Sequence, residues 1–375
     1  MGKTIKTVGI IGFNVMGAAI GLNAATAGYR VIYKELNEEL VAAMYDRWVT
    51  KALAARVAKR KMSQEEMNKI AALISGTANY SDLAQCDLVI EAAVEKMELK
   101  IKIFKELDAV CRPDAIFASN TSTFLIEKLM AGVSNPGRTA GLHYFFPANI
   151  NRLVEVIRQK ETDDETFAAL MNFSEKNRKV PISVNDFPGF AINPVFISSY
   201  MVLNSFYETS CNAATLDHIS KVALGVKYGI IWVLNGSGLG TAYHAAASMN
   251  EYLGATDVGF PPVPHQLKTL FESGKSFDLE DGPISEDAAV VTNVKESLLG
   301  SVFCIATHLI EKKVVSIKDL ELGICTALTW PKGPFAMMNE LGMAETAKLV
   351  SSTVESGYFK MPKTFASGVP APWNL

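Results

Sequence analysis

Short apolar runs alternate with longer amphipathic segments through the first third of the chain, and few folds accept that pattern. Thr7–Ile11, Arg30–Tyr33, Leu88–Ala92, Ala115–Ala118 and Thr139–His143 read as buried strands. The segments between them have helical length and spacing, which predicts βαβ units around a parallel sheet. One of them, residues 38–73, is longer and more charged and reads as a helical insert after the second strand. A further β-like pair, Leu153–Ile157 and Val180–Val184, flanks another helix. Beyond Asp186 the strand signals fade and helical periodicity takes over. A first α/β domain over residues 1–186 is therefore expected, with an all-α region behind it.

The first strand runs into Gly12, Phe13, Asn14, Val15, Met16 and Gly17, and a helix follows. A glycine turn at that place is a dinucleotide fingerprint, because the N–H groups of a helix start can receive a pyrophosphate. The pattern alone is weak. Here Glu35 closes the second strand about twenty residues on, a spacing that suits a carboxylate accepting the adenosine ribose hydroxyls. The first domain thus reads as a Rossmann domain with NAD as cofactor, held by Gly12, Asn14, Met16, Gly17 and Glu35. Glu35 would meet the 2′-phosphate of NADP with like charge, and Lys34 tempers that only slightly. The middle position of the motif is Asn14, not glycine. Asparagine tolerates left-handed backbone angles better than most residues. Its Cβ still stands in the path of the pyrophosphate, so weaker or displaced binding is expected.

The second half contains a repeat. The segment from Lys227 to Gly240 can be laid on that from Pro331 to Ala344 without a gap. Gly229 then matches Gly333, Asn235 matches Asn339, and Gly238 matches Gly342. Each copy follows a similar helix, Ala214–Ser220 and Val315–Glu321. One helical unit is read as duplicated, giving a first copy at 187–284 and a second at 285–375. Gly259–Gly282, rich in Pro, Gly, Ser and Asp, reads as the connector. The two copies are expected to pair as an internal pseudo-dimer, with a homo-oligomer open.

Composition narrows the partners. With 49% apolar and 20% charged residues over 375, the chain is expected to fold compactly. A net charge of −3 gives no reason to expect nucleic acid or an anionic membrane. Cys86, Cys111, Cys211, Cys304 and Cys325 are scattered and odd in number, as free thiols in a reducing cytoplasm would be. Val8–Ile11 is too short for a signal-peptide core. Phe187–Tyr207 and Tyr228–Asn250 lack charge but carry Pro, Gly, Asn and Ser, and read as buried helices, not membrane spans. His218, His244, His265 and His308 have no ligand spacing to a second His or Cys, so no metal site is expected.

Four further segments carry a family resemblance. They are Phe117–Ser122 (FASNTS), Gly141–Pro147 (GLHYFFP), Leu153–Ile157 (LVEVI) and Asp186–Asn193 (DFPGFAIN). Residues 5–200 resemble the N-terminal domain of the 3-hydroxyacyl-CoA dehydrogenases nearly without gaps, and Gly333–Phe335 resembles a segment of their C-terminal domain. The resemblance implies oxidation of an (S)-3-hydroxyacyl-CoA to the 3-oxoacyl-CoA with NAD. By itself His143 could be a core histidine or a base. By resemblance it is the base that takes the 3-hydroxyl proton, with Glu155 as its carboxylate partner. Ser122 and Asn193 match residues that contact the substrate oxygens. Glu95, Lys100 and Asn120 fall among the residues implied at the cofactor. Arg56, Arg60 and Lys61, on the insert, lie where the family faces the CoA phosphates.

Two departures stand out. The family's active-site asparagine is Phe146 here, and Pro194 replaces the arginine that usually follows Asn193. A ring in place of an amide points to a branched, alicyclic or aromatic acyl group. Two other readings stay open: a hydroxyacid or sugar-acid dehydrogenase that does not use CoA, and a catalytically silent binding or assembly homologue.

Overall fold

A computed structural model describes residues 3–375. The chain divides into two compact units, Met1–Asp186 and Phe187–Leu375. The first is built on eight strands: β1 (Thr7–Ile11), β2 (Arg30–Lys34), β3 (Ile74–Thr77), β4 (Leu88–Glu91), β5 (Ile116–Ser119), β6 (Thr139–Tyr144), β7 (Leu153–Arg158) and β8 (Val180–Asn185). They form one sheet in the order β3-β2-β1-β4-β5-β6-β7-β8. Its helices are α1 (Val15–Thr26), α2 (Glu38–Met44), α3 (Ala52–Ala58), α4 (Gln64–Ala71), α5 (Met97–Val110), α6 (Ile126–Leu129) and α7 (Asp164–Lys176).

Two features differ from the sequence reading. The sheet is not wholly parallel, because β7 runs antiparallel to β6. An eight-residue loop, 145–152, turns the chain straight back, and so short a link cannot make a crossover. The second difference is β3, a parallel edge strand beside β2 that the apolar-run criterion passes over. Its sequence, Ile-Ser-Gly-Thr, is half polar because one edge faces water. The insert of residues 38–73 is helical as expected, with a π-helical stretch at Tyr45–Lys51 joining α2 to α3. Ser63 starts α4 with a capping box, its hydroxyl accepting from Glu66 N–H and the Glu66 carboxylate accepting from Ser63 N–H.

The core of this unit packs Val8, Ile10, Val31, Leu88, Ile90, Leu142, Val154 and Val156 against Ala18, Ile20, Leu170 and Phe173 of the helices. Side chains alternate across a strand. Leu142 and Tyr144 point into this core, so His143 points to the other face.

The second unit is all helix: α8 (Ile192–Phe206), α9 (Ala213–Leu224), α10 (Ile230–Ser237), α11 (Leu239–Leu253), α12 (His265–Glu272), α13 (Ala288–Glu311), α14 (Ile317–Ala327), α15 (Pro334–Leu341), α16 (Met343–Glu355) and α17 (Lys363–Ala366). The region read as a plain connector contains α12. The two segments aligned above carry the same hydrogen bonds and turns. The Asn235 amide exchanges two hydrogen bonds with the Phe277 backbone, and Asn339 does so with Trp373. Asp217 accepts from Trp232 N–H, as Glu321 does from Phe335 N–H. Gly238 and Gly342 both take φ near +90° between consecutive helices. The long helix α13 is apolar enough to span a membrane by length and composition. Here it packs along α8, α9 and α16, with Leu298, Val302, Ile305 and Leu309 buried.

Candidate active site

The site grows from the register of one antiparallel pair. Gly141 faces Ile157, and two residues on His143 faces Glu155. Directly opposed residues point to the same face, so the two side chains meet. His143 Nδ1 lies 2.7 Å from Glu155 Oε2. The histidine is 4% exposed and the glutamate fully buried. A carboxylate on Nδ1 fixes its proton there and makes Nε2 the basic nitrogen. The Phe145 ring leans on the imidazole at 4.6 Å between centroids.

The end of β5 is tied to this pair. Asn120 donates its N–H to Glu91 O, and its side-chain oxygen accepts from Tyr144 N–H at 2.8 Å, next to His143. Ser122 lies two residues further on. Its N–H reaches Glu95 Oε1 at 3.0 Å, and Thr121 Oγ1 donates to the same oxygen at 2.6 Å. Lys100 is 1% exposed, with its ammonium 2.6 Å from Glu91 and 3.2 Å from Glu95. The structure thus commits Lys100 to carboxylates, and through them it holds Glu95 against the Thr121–Ser122 turn. Sequence reasoning missed Glu91, Ser119 and Thr121 in this network. Ser119 Oγ donates to Glu91 Oε2 at 2.6 Å. The available signal was an acid closing an otherwise apolar strand.

A buried cation holds the loop after His143. Lys179, just before β8, donates to Ala148 O at 2.5 Å and Asn151 O at 2.8 Å. It is 8% exposed and has no carboxylate partner among the described residues. Burial, aided by the nearby Arg152 charge, pushes its pKa down to about 8. Asn23 of α1 donates to the same Ala148 carbonyl at 2.9 Å, so the loop is tied to the helix that follows the glycine turn. Past the other end of β8, Asp186 accepts from Ile126 and Glu127 N–H at the start of α6, and burial pushes its carboxyl up to about 6.

The glycine turn has the shape a pyrophosphate needs. Gly12 takes φ +83°, and a Cβ on Gly17 would stand 1.9 Å from Gly12 O. Only glycine lets strand and helix approach this closely. Glu35 follows β2 directly, and its Oε1 accepts from Phe13 N–H at 2.7 Å, which brings it to the turn. Lys34 is buried, its ammonium over the Tyr80 ring and on Glu35 O. Asn14 has an extended backbone at φ −78°, and its side chain caps α1.

The other expected residues belong to the loop after β6, to the insert and to the helical unit. Phe146 is 57% exposed on the 145–152 loop, joined to Pro147 by a cis peptide. Arg56, Arg60 and Lys61 are exposed at the end of α3 and just after it. Asn193 is the second residue of α8, in the helical unit.

The chain is similar to several known proteins. Residues 7–187 match the family model described as "3-hydroxyacyl-CoA dehydrogenase, NAD binding domain". A 3-hydroxybutyryl-CoA dehydrogenase of Bradyrhizobium diazoefficiens is 35% identical over 270 residues, 72% of this chain and 91% of that protein. The crystal structure of FadB2 from M. tuberculosis is 30% identical with a TM-score of 0.69, over 73% of this chain and 96% of that one. A 3-hydroxybutyryl-CoA dehydrogenase structure from Escherichia coli K12 is 20% identical and shares the fold, with a TM-score of 0.85 over 97% of this chain and 98% of its own. The chain belongs to the 3-hydroxyacyl-CoA dehydrogenase family, with NAD as its cofactor.

Proposed function

We propose that the chain oxidises (S)-3-hydroxyacyl-CoA thioesters at C3, with His143 as general base and Glu155 as its partner. The observation that carries this reading is the buried 2.7 Å contact across β6 and β7. In the tautomer it favours, Nε2 takes the hydroxyl proton as the C3–H bond breaks, and Glu155 stabilises the imidazolium that forms. NAD, when bound, supplies the hydride acceptor. The Gly12–Gly17 turn would hold its pyrophosphate and Glu35 its adenosine ribose. Ser122 would orient the reacting oxygen. Arg56, Arg60 and Lys61, exposed and clustered, are suited to CoA phosphates.

NADH absorbance on a panel of 3-hydroxyacyl-CoAs and CoA-free hydroxyacids is the test. Turnover confined to the thioesters is expected. Turnover of the free acids alone would favour the CoA-independent reading, and no turnover with intact NAD binding would favour a silent homologue.

Phe146 supports a second, narrower reading. The relatives' names point to 3-hydroxybutyryl-CoA, a short linear substrate. A ring more than half exposed near His143 in sequence offers apolar area that a short chain leaves uncovered. A branched, alicyclic or aromatic acyl group would cover more of it.

A further inference from the structure

The middle position of the glycine motif does more here than fail to be glycine. Asn14 Oδ1 accepts from Met16 N–H at 3.0 Å and from Gly17 N–H at 3.3 Å. Its Nδ2 donates to Ala92 O, just past β4, at 2.9 Å. The side chain therefore closes the first turn of α1 and braces it across the crevice between β1 and β4. Met16 and Gly17 N–H are first-turn donors, unsatisfied within the helix and carrying the positive end of its dipole. They are the kind of group that a phosphate at a helix start takes. Here a carboxamide oxygen accepts from both of them. Asn14 is also exposed, so its side chain has solvent to swing into.

We propose that Asn14 is a built-in competitor for the dinucleotide pyrophosphate: it caps α1 in the cofactor-free protein and must release Met16 and Gly17 N–H when NAD binds. The residue then lowers NAD affinity while it stabilises the empty turn. This rests on NAD as the cofactor and goes beyond it, since it assigns a fold stabiliser and an affinity determinant to one side chain. It also differs from simple crowding by a Cβ, because the oxygen acceptor, not the carbon, is what competes.

The test is a paired measurement on full-length protein: the NAD dissociation constant by fluorescence titration, and the Tm of the cofactor-free form. Cap strengths correspond to a factor of about 2 to 30 in an equilibrium constant. Asn14→Ala keeps the Cβ and removes the acceptor. It should lower the cofactor-free Tm and tighten NAD by a factor in that range. Asn14→Gly should tighten NAD at least as much, with a smaller loss of Tm, because glycine caps tolerably. Asn14→Asp caps with a charge the helix dipole favours. It should raise the cofactor-free Tm and weaken NAD by more than about tenfold, since its charge repels the pyrophosphate. Opposite movement of the two readouts across the series is the expected result. Weaker NAD binding in Asn14→Ala or Asn14→Gly would overturn the proposal, making Asn14 a cofactor ligand. So would tightening by Gly with none by Ala, which would leave the Cβ as the cause. NAD binding in Asn14→Asp equal to wild type would overturn it as well.

Discussion

His143 and Glu155 are held by strand register, whereas the glycine turn is held by side-chain hydrogen bonds near the surface. The first pair is buried, and the antiparallel register of β6 and β7 sets the two residues opposite one another. The turn rests on Asn14 against Met16 and Gly17, and on Glu35 against Phe13. Those bonds can exchange for a ligand's. In the proposed mechanism the proton-handling groups are thus pre-organised, and rearrangement is left to the end proposed to receive the cofactor. A pre-organised base needs little reorganisation as charge develops on it, while a ligand site that satisfies its own donors when empty avoids orphaned N–H groups.

If that contrast is right, damage to the strand pair should cost the most. His143→Ala should lower kcat by about 10² to 10⁴, the usual cost of losing a general base. Steady-state NADH formation, with circular dichroism to show the fold intact, checks it. A normal rate in the folded variant would remove the histidine from the chemistry.

Lys179 lies between the two regimes, a buried cation that grips a loop. Lys179→Met should lower kcat/KM by about tenfold, the worth of one charge-assisted hydrogen bond. Activity in wild type should fall as pH rises through about 8 and the ammonium loses its proton. Stability should move the other way. The folded pKa lies below the ordinary lysine value, so between the two the unfolded chain binds more protons at this site. The contribution of this group to stability therefore rises with pH above about 8. Melting curves of wild type and Lys179→Met from pH 7 to 10 read the difference. A Tm gap independent of pH would contradict the assignment.

Smaller effects belong to the surface. Replacing Arg56, Arg60 and Lys61 together with alanine should raise KM for the CoA thioester about fivefold, near 1 kcal/mol for exposed charges, with the loss shrinking in high salt. An unchanged KM at low salt would make the cluster an ordinary solvated face. Smallest is Phe146→Asn, which should shift the kcat/KM ratio of cyclic to linear substrates about threefold toward linear, within the range for a ring contact. A wild type best on 3-hydroxybutyryl-CoA, with no shift in the variant, would make Phe146 a tolerated substitution.

Much of the sheet was legible because β1, β4, β5 and β6 are buried on both faces and leave nearly unbroken apolar runs. β3 was not, since Ser75 and Gly76 sit on an edge that needs no apolar run. The direction of β7 was hidden because pairing direction depends on the length and path of the link, not on strand composition. Asn235 and Asn339 align in the sequence, yet their hydrogen bonds to Phe277 and Trp373 reach across loops that sequence similarity does not show. In the site, His143 and Glu155 were legible through family resemblance, and only the antiparallel register brings them face to face. The Asn14 cap and the Lys179 grip were illegible for one reason: each depends on where a single side chain turns. Glu91 could have been read, since a fully buried acid in an apolar strand needs a partner.

The most direct test of the strand pair is a double-mutant cycle on kcat with His143→Ala, Glu155→Gln and the two combined. Glu155 is assigned a role only through His143, so the double variant should be no slower than His143→Ala alone, a coupling that cancels most of the Glu155 effect. Two independent losses that multiply in the double variant would contradict the account, because Glu155 would then act on the reaction without the histidine.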